Sequence, residues 1–227
     1  MSGRSRSAVV WTVVFCIILV VVAVVGFVSW DTRVLDAVRD NFAREWRGTA
    51  KFFSRYGDFP WLLGGGLVAL AVFLRMRRRE WARIVVAMLL SGIVAGCATN
   101  AIKLGAGRVR PHVEDVPHGW YGPVHEGVWV AALRHDFQSF PSSHTACAVG
   151  FFFPLFLSRR FLGAVGLLAA AAIAWSRLQL SMHHVSDVAA GAVIGILAGW
   201  LVWRWIVARG GLARWLGGAE PGAECFL

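Results

Sequence analysis

The chain has 227 residues, of which 57% are hydrophobic and only 16% are charged. A soluble domain carries about 25% charged residues, so the composition excludes an ordinary soluble enzyme and indicates a protein embedded in lipid. The net charge of +10 would suit nucleic acid. However, the arginines collect in short segments between apolar runs, and no nucleic-acid-binding motif is present. We therefore expect a membrane partner and no nucleic acid.

Six apolar runs predict an all-α, polytopic membrane protein with six transmembrane helices in a bundle. The runs cover residues 8–28, 59–74, 84–102, 145–157, 161–175 and 188–203. Several are shorter than the roughly 20 residues of a full span, so each is expected to extend into polar residues at one end. The first run is too long for a signal peptide, and no small-residue cleavage site follows it.

Between the first two runs, residues 31–58 have the pattern of an amphipathic helix lying on the membrane surface. Val34, Val38, Phe42 and Trp46 recur every four residues, with charged residues between them. A solvated helix covering the bundle is the alternative. We therefore expect one integral membrane domain, 1–227, that includes this interfacial segment and a cytoplasmic tail at 204–227.

The arginines predict the orientation of the chain in the membrane. Twelve of the 23 basic residues lie in four short segments, near the N-terminus, after residue 74, after residue 157 and in the tail. Short cytoplasmic segments are enriched in Lys and Arg, so we place both termini in the cytoplasm and residues 103–143 and 178–186 outside. The expected location is a bacterial inner (cell) membrane, with the outer residues facing the periplasm or the exterior.

Three clusters of polar residues share this predicted outer side. They are Lys103, Arg110 and Pro111; residues 141–144, which read Pro-Ser-Ser-His; and Ser176, Arg177, His183 and Asp187. The clusters lie at the ends of the third to sixth apolar runs, where helix packing can bring them into one pocket.

The cations of these clusters predict a phosphate site. Ionisable residues at membrane depth are costly and usually mark a functional site. Lys103, Arg110 and Arg177 together match the charge and geometry of a phosphate. Ser142 and Ser143 precede the fourth apolar run, where they are favourable helix caps and where the N–H groups of the first turn point at an anion.

The remaining polar residues predict covalent catalysis. His183 and Asp187 are four residues apart, so on a helix the carboxylate can bond one imidazole nitrogen and leave the other free. This is the pairing of a nucleophile with its orienting group, and His144 from another helix is available as a proton donor. Each residue alone has a simpler structural explanation, but their conjunction at one membrane face favours a catalytic site.

Together the clusters resemble the K-x6-RP, PSxH and SR-x5-H-x3-D signature of the type 2 phosphatidic acid phosphatases, which are related to vanadium haloperoxidases. The signature lies within 103–187, and the six-span layout extends the resemblance over most of the chain. It implies a six-helix bundle, a phosphohistidine intermediate, and no metal or other cofactor. Ser143 departs from the family, which often has Gly there. That position is thought to serve through its backbone N–H, so Ser should be tolerated.

Carried over by position, the resemblance implies that His183 attacks phosphorus, Asp187 orients it and His144 protonates the leaving oxygen. The phosphoryl oxygens would be held by Lys103, Arg110, Arg177, Ser142 and the backbone N–H of Ser143. His184 has no assigned role and is expected to be structural. The histidines of the 112–136 loop are expected to be solvated, and residues 134–136 are a candidate contact for a lipid head group.

The expected function is hydrolysis of a phosphomonoester or diphosphate lipid at the outer membrane face. Candidate substrates are a phospholipid, a polyprenyl diphosphate and a lipid A-type phosphate, and no motif chooses among them. A lipid phosphotransferase would use the same intermediate, whereas a non-enzymatic lipid or anion transporter would not need the His–Asp pair. A haloperoxidase is disfavoured because those proteins are generally soluble. A metal site at the histidines is disfavoured by the three nearby cations.

Overall fold

The structure is a computed structural model that describes residues 45–208 and, before them, Asp31, Arg33, Val34 and Ala37. The predicted span at 8–28, part of the amphipathic segment at 31–58 and the tail beyond residue 208 lie outside the described residues. Over 45–208 the chain is helical apart from its loops, which agrees with the predicted all-α class.

Each apolar run within the described residues coincides with a helix. The helices are α1 Arg47–Tyr56, α2 Phe59–Arg75, α3 Arg79–Ala106, α4 Val130–Leu133, α5 Ser143–Ser158, α6 Arg160–Gln179 and α7 Val185–Ala208, with a 3-10 turn at His135–Phe137. Helices α3, α6 and α7 extend beyond their apolar runs at both ends. The polar residues at these ends are therefore helical, as the short runs predicted.

Three of the described helices, α3, α6 and α7, are long and apolar enough to cross a membrane. Helices α1 and α2 pass the same test only as a pair, and they are bent by 53° at the break between them. Helix α5 has 16 residues, about 24 Å at 1.5 Å per residue, which is short for a hydrocarbon core of about 30 Å. The described residues thus supply three or four candidate spans, and the predicted count of six is not confirmed.

Helix α5 lies at the centre of the bundle, where it packs against α3, α6 and α7. Phe153 of α5 joins Ile173 of α6 and Ile196 of α7 in one apolar cluster. Phe151, on another side of α5, joins Met88 and its neighbours on α3 in a second cluster. This central position explains why so much of a short helix is buried.

Glycines on α7 let this helix approach α5 closely. A Cβ at Gly191 would lie 2.5 Å from the Ser142 carbonyl oxygen, and one at Gly195 would lie 2.6 Å from that of Ala146. Small residues at four-residue spacing are a common means of packing helices in membranes. Because the contacts advance in the same direction along both chains, α5 and α7 run parallel and begin at the same end of the bundle.

The loop between α3 and α5 folds over that end with a small core of its own. Helix α3 is capped by Gly107, whose φ of +57° is left-handed. The Gly122 carbonyl lies so close to Gly107 that no Cβ would fit there. Val109, Val130 and Phe137 are buried together in the loop. The loop is therefore a packed cap, and it turns the neighbouring arginines towards the bundle.

Candidate active site

The predicted site residues converge where α3 and α6 end and α5 and α7 begin. Lys103 lies in the last turn of α3, Arg177 in that of α6 and Asp187 in the first turn of α7. Ser142 is the N-cap residue of α5, and Arg110 follows α3 in the loop. The three cations are buried and close enough for each to interact electrostatically with the other two.

The two arginines are held by different elements of the fold. The Nε of Arg110 donates to the His135 carbonyl at 3.0 Å, and one of its terminal nitrogens lies 3.2 Å from His135 Nε2. The Arg110 guanidinium lowers the pKa of His135, which keeps the ring neutral and able to accept this bond. Arg177 donates to the Ser54 hydroxyl of α1. The loop histidine His135 is exposed, as expected, and it also contacts a phosphate-binding candidate.

Two polar atoms at the site lack a partner. Within the described part of the chain, Ser143 Oγ and Arg177 Nε are buried side-chain atoms without a hydrogen bond. The Ser142 hydroxyl accepts from Thr145 Oγ1 at 3.1 Å. Unsatisfied buried donors are costly and call for an explanation. Donors beside three cations are suited to an oxyanion.

His183 is buried in the turn that precedes α7. Its Nδ1 lies 2.7 Å from the Ser139 carbonyl oxygen and 3.7 Å from Asp187 Oδ2. If Nδ1 carries the proton and donates to the carbonyl, Nε2 is left unprotonated, as a nucleophile requires. Burial lowers the pKa of His183 to about 3, although the Asp187 carboxylate acts in the opposite sense. The imidazole is therefore neutral at neutral pH.

The expectation that His183 and Asp187 share a helix needs correction. Helix α7 begins at Val185, so His183 lies before it. The physical reason is a cap: Asp187 Oδ2 accepts from the backbone N–H of His184 at 2.8 Å, as an acidic residue in the third helical position does. The His184 ring also lies 3.3 Å from the same oxygen. The structural role expected for His184 stays a prediction.

Sequence reasoning missed Arg108, which occupies the spacer between Lys103 and Arg110. Its guanidinium bonds Asp187 Oδ1 on one side and Asp31 Oδ2, at 2.7 Å, on the other. All three side chains are buried. An aspartate soon after the first apolar run and a second arginine close to Arg110 were the available sequence signals, but neither fits a motif.

Asp187 also connects this ion pair to the predicted nucleophile. Its Oδ2 accepts from the Ser139 hydroxyl at 2.6 Å, and the carbonyl of the same serine contacts His183. Ser139, which no motif includes, therefore bridges the carboxylate and the imidazole. Asp187 therefore contacts His183 in two ways, directly at 3.7 Å and indirectly through Ser139.

His144, at the start of α5, has a partner that the sequence did not indicate. Its Nε2 lies 3.4 Å from Asp58 Oδ1, and Asp58 is the N-cap residue of α2. With regard to metals, no three His, Cys, Asp or Glu side chains within the described residues are grouped so that they could hold an ion.

We predict that Arg108→Met lowers the free energy of unfolding by about 3–5 kcal/mol, because loss of one partner leaves buried carboxylates uncompensated. Thermal unfolding of the purified protein in detergent measures the effect. Adding Asp31→Asn to Arg108→Met removes one of the two unpaired charges, so the double variant should recover part of the loss. A double variant less stable than Arg108→Met would contradict the arrangement.

The chain is similar in sequence to known proteins. A family model described as the PAP2 superfamily matches residues 80–210. Lipid phosphate phosphatase 1 of Arabidopsis thaliana is 29% identical over 143 residues, which are 53% of this chain and 43% of that protein. The bacitracin transport permease protein BcrC of Bacillus licheniformis is 38% identical over 67 residues, 29% of this chain and 33% of that protein. The matched part is less than half of either relative.

Two solved structures share the fold. The PAP2 type phosphatidylglycerolphosphate phosphatase of Bacillus subtilis superposes with a TM-score of 0.64 and 20% identity, covering 88% of this chain and 96% of that one. LpxE of Aquifex aeolicus superposes with a TM-score of 0.56 and 22% identity, covering 78% and 96%. At these identities the likeness establishes the architecture.

Proposed function

This multi-pass membrane protein belongs to the PAP2 superfamily, and we propose that it removes a phosphate group from a lipid. The observation that carries the proposal is the convergence of Lys103, Arg110 and Arg177 beside a neutral, buried His183. Three buried cations are costly unless an anion joins them, and a phosphoryl group has the charge and the oxygens to do so. The unpartnered atoms of Ser143 and Arg177 support the same ligand.

A lipid is the favoured substrate because an apolar groove begins near the site. A cavity of about 240 Å³ lies between α2, α3 and α5, and its lining includes Trp61, Gly65, Ala69, Met88 and Phe151. Trp61 lies about one turn along α2 from Asp58, the residue that contacts His144. A hydrocarbon chain in the groove would leave its phosphate at the end of the bundle. A phospholipid, a polyprenyl diphosphate and a lipid A-type phosphate remain the candidate substrates.

In the proposed first step, His183 Nε2 attacks phosphorus and forms a phosphorus–nitrogen bond. The bond between phosphorus and the lipid oxygen breaks, and His144 gives that oxygen its proton. Asp187, held by Arg108, orients the nucleophile together with Ser139. The equatorial oxygens gain charge as the bonds change and are stabilised by Lys103, Arg110, Arg177, Ser142 and the Ser143 N–H.

In the second step, water replaces the histidine on phosphorus. His144 has lost its proton in the first step, so it can accept one from the attacking water. Phosphate leaves and His183 is restored. A lipid hydroxyl in place of water would give phosphotransfer from the same intermediate. We propose that the three cations supply the charge neutralisation, so that turnover needs no metal ion.

We also propose the full topology predicted from the sequence. The protein would cross a bacterial inner (cell) membrane six times, with both termini in the cytoplasm and the site facing the periplasm or the exterior. Helices α5 and α7 begin at the site end, and the turn between α5 and α6 lies at the other end with its two arginines. That arrangement supports the arginine-based orientation.

Orientation is testable with single cysteines in a background that lacks the native ones. Cysteines at Val116 and Val128 should react with a membrane-impermeant thiol reagent in intact cells, because both lie in the α3–α5 loop on the proposed outer side. A cysteine at Arg78 is the matched inner control and should react only after lysis. The reverse labelling pattern would show that the site faces the cytoplasm.

The chemistry is testable with the two histidines in buffer containing EDTA. Wild type should turn over both a lipid phosphomonoester and an aryl phosphate with an acidic phenol. His183→Ala should lose both activities, because no phosphohistidine can form. His144→Ala should lose on the order of 10²–10⁴-fold on the lipid, whose oxygen needs a proton to leave, and should lose far less in the first step with the aryl ester.

The same variant should trap the intermediate. His144→Ala lacks the base for the second step, so rapid-quench labelling with the aryl ester should reveal acid-labile phosphate on His183. Loss of wild-type turnover in EDTA, restored by a divalent cation, would exclude the metal-independent route. Equal losses on both substrates without a trapped phosphoenzyme would remove His144 from the role of proton donor.

The lipid groove is testable with two neighbouring glycines. Among the described residues, a Cβ at Gly64 or Gly65 meets no atom within 4 Å, but only Gly65 lines the groove. Gly65→Leu should raise KM for a long-chain lipid phosphate about tenfold, as if roughly two buried methylenes of about 0.8 kcal/mol each were lost. The KM for the aryl phosphate should not change. Gly64→Leu has the same gain in helix propensity and should leave both KM values unchanged; an equal effect there would refute the groove.

A further inference from the structure

Asp58 contacts the second catalytic histidine although it belongs to none of the three motif clusters. Its Oδ1 lies 3.4 Å from His144 Nε2, and the two side chains are 48% and 22% exposed. We propose that Asp58 is a positioning residue that orients His144 and stabilises its protonated form for proton donation. This role rests on the proposed function, because it concerns the departure of the lipid oxygen.

The carboxylate of Asp58 is fixed in place by the local fold. The same Oδ1 accepts from the backbone N–H of Phe59 at 2.8 Å and so caps α2. Before it, Gly57 packs so closely on Ile173 of α6 that a Cβ would lie 2.3 Å from that side chain. Pro60 follows in the first helical turn, where its fixed φ suits a helix start. The carboxylate therefore meets His144 from a rigid turn between α1 and α2.

The charges around His144 make an acidic partner necessary. A proton donor must be an imidazolium at the moment of transfer, yet Arg177, Lys103 and Arg110 all interact unfavourably with that positive charge. Asp58 interacts with it favourably. In a pocket of three cations, a carboxylate in contact with the ring opposes their repulsion and favours the protonated ring that proton donation requires.

The geometry also assigns the two ring nitrogens. Contact with Asp58 occupies Nε2 of His144, which leaves Nδ1 to carry the proton to the substrate. His183 has the opposite arrangement, since its Nδ1 contacts a neutral carbonyl and its Nε2 stays free. A carboxylate partner suits an acid, and a carbonyl partner suits a neutral nucleophile.

The deciding variant is Asp58→Asn, because asparagine caps a helix as well as aspartate does and the substitution removes only the charge. Turnover of a lipid phosphomonoester should fall on the order of 10–100-fold in kcat, less than for loss of the acid itself, with KM little changed. The first step with the aryl phosphate, measured as the burst of phenol release, should slow less than about threefold. Asp58→Glu should restore part of the lipid activity. Asp115→Asn, an exposed carboxylate in the α3–α5 loop, is the control and should leave both substrates unaffected.

A double variant separates positioning from general damage. In the His144→Ala background, Asp58→Asn should cause no further loss of lipid turnover. Asp58 acts through the imidazole of His144, and that variant lacks the imidazole. Equal losses in the first step on both substrates, additive losses in the double variant or an unchanged lipid kcat would each overturn the role of Asp58. Failure of the proposed function would be recognised by different results. Either the wild type would turn over neither substrate, or His183→Ala would keep both activities. In both cases the role proposed for Asp58 would also be excluded.

Discussion

The buried ion pair between Arg108 and Asp187 is the interaction on which the geometry of the site depends. The desolvation cost of burying such a pair is about as large as the attraction between its charges. The pair therefore adds little net stability, and its main effect is to fix where the two side chains lie. It ties the α3–α5 loop to the first turn of α7, while Asp31 holds the other side of the guanidinium. Asp187 in turn holds the hydroxyl of Ser139, whose carbonyl contacts the His183 ring. An arginine outside the proposed phosphate pocket thus fixes the position of the histidine inside it.

The two histidines of the site have the same side chain but contact different groups, and these contacts give them different roles in the proposed reaction. His183 is almost fully buried against a carbonyl, and burial keeps its pKa low and its ring neutral. His144 is partly exposed and faces the carboxylate of Asp58. In the proposed reaction one ring must offer a lone pair and the other a proton. Neighbours of opposite character around identical side chains provide that division.

The sequence could predict the site residues whose position depends on a helix end, but not those whose position depends on tertiary packing. Lys103, Arg177 and Asp187 sit at helix ends, so apolar runs and spacing were enough to bring them to one end of the bundle. Arg108 and Asp58 could not be found in this way, because their partners come from segments distant in sequence that meet only after packing. The helical placement of His183 failed for a local reason: the side chain of Asp187 caps the His184 N–H, and the helix starts one residue later. Periodicity locates a helix but not its first turn.

The packing of the helices within the bundle also shapes the electrostatics of the site. The glycines of α7 bring it against α5 in parallel, and the backbone N–H of Ser142 donates to the Asp187 carbonyl at 3.0 Å. Two helix N-termini therefore begin side by side at the three cations, and each adds partial positive charge from its free N–H groups. In surroundings of low polarity these contributions are screened less than in water. The proposed anion site is thus built from the ends of packed helices, and a phosphoryl group would meet donors that need little rearrangement as its charge shifts.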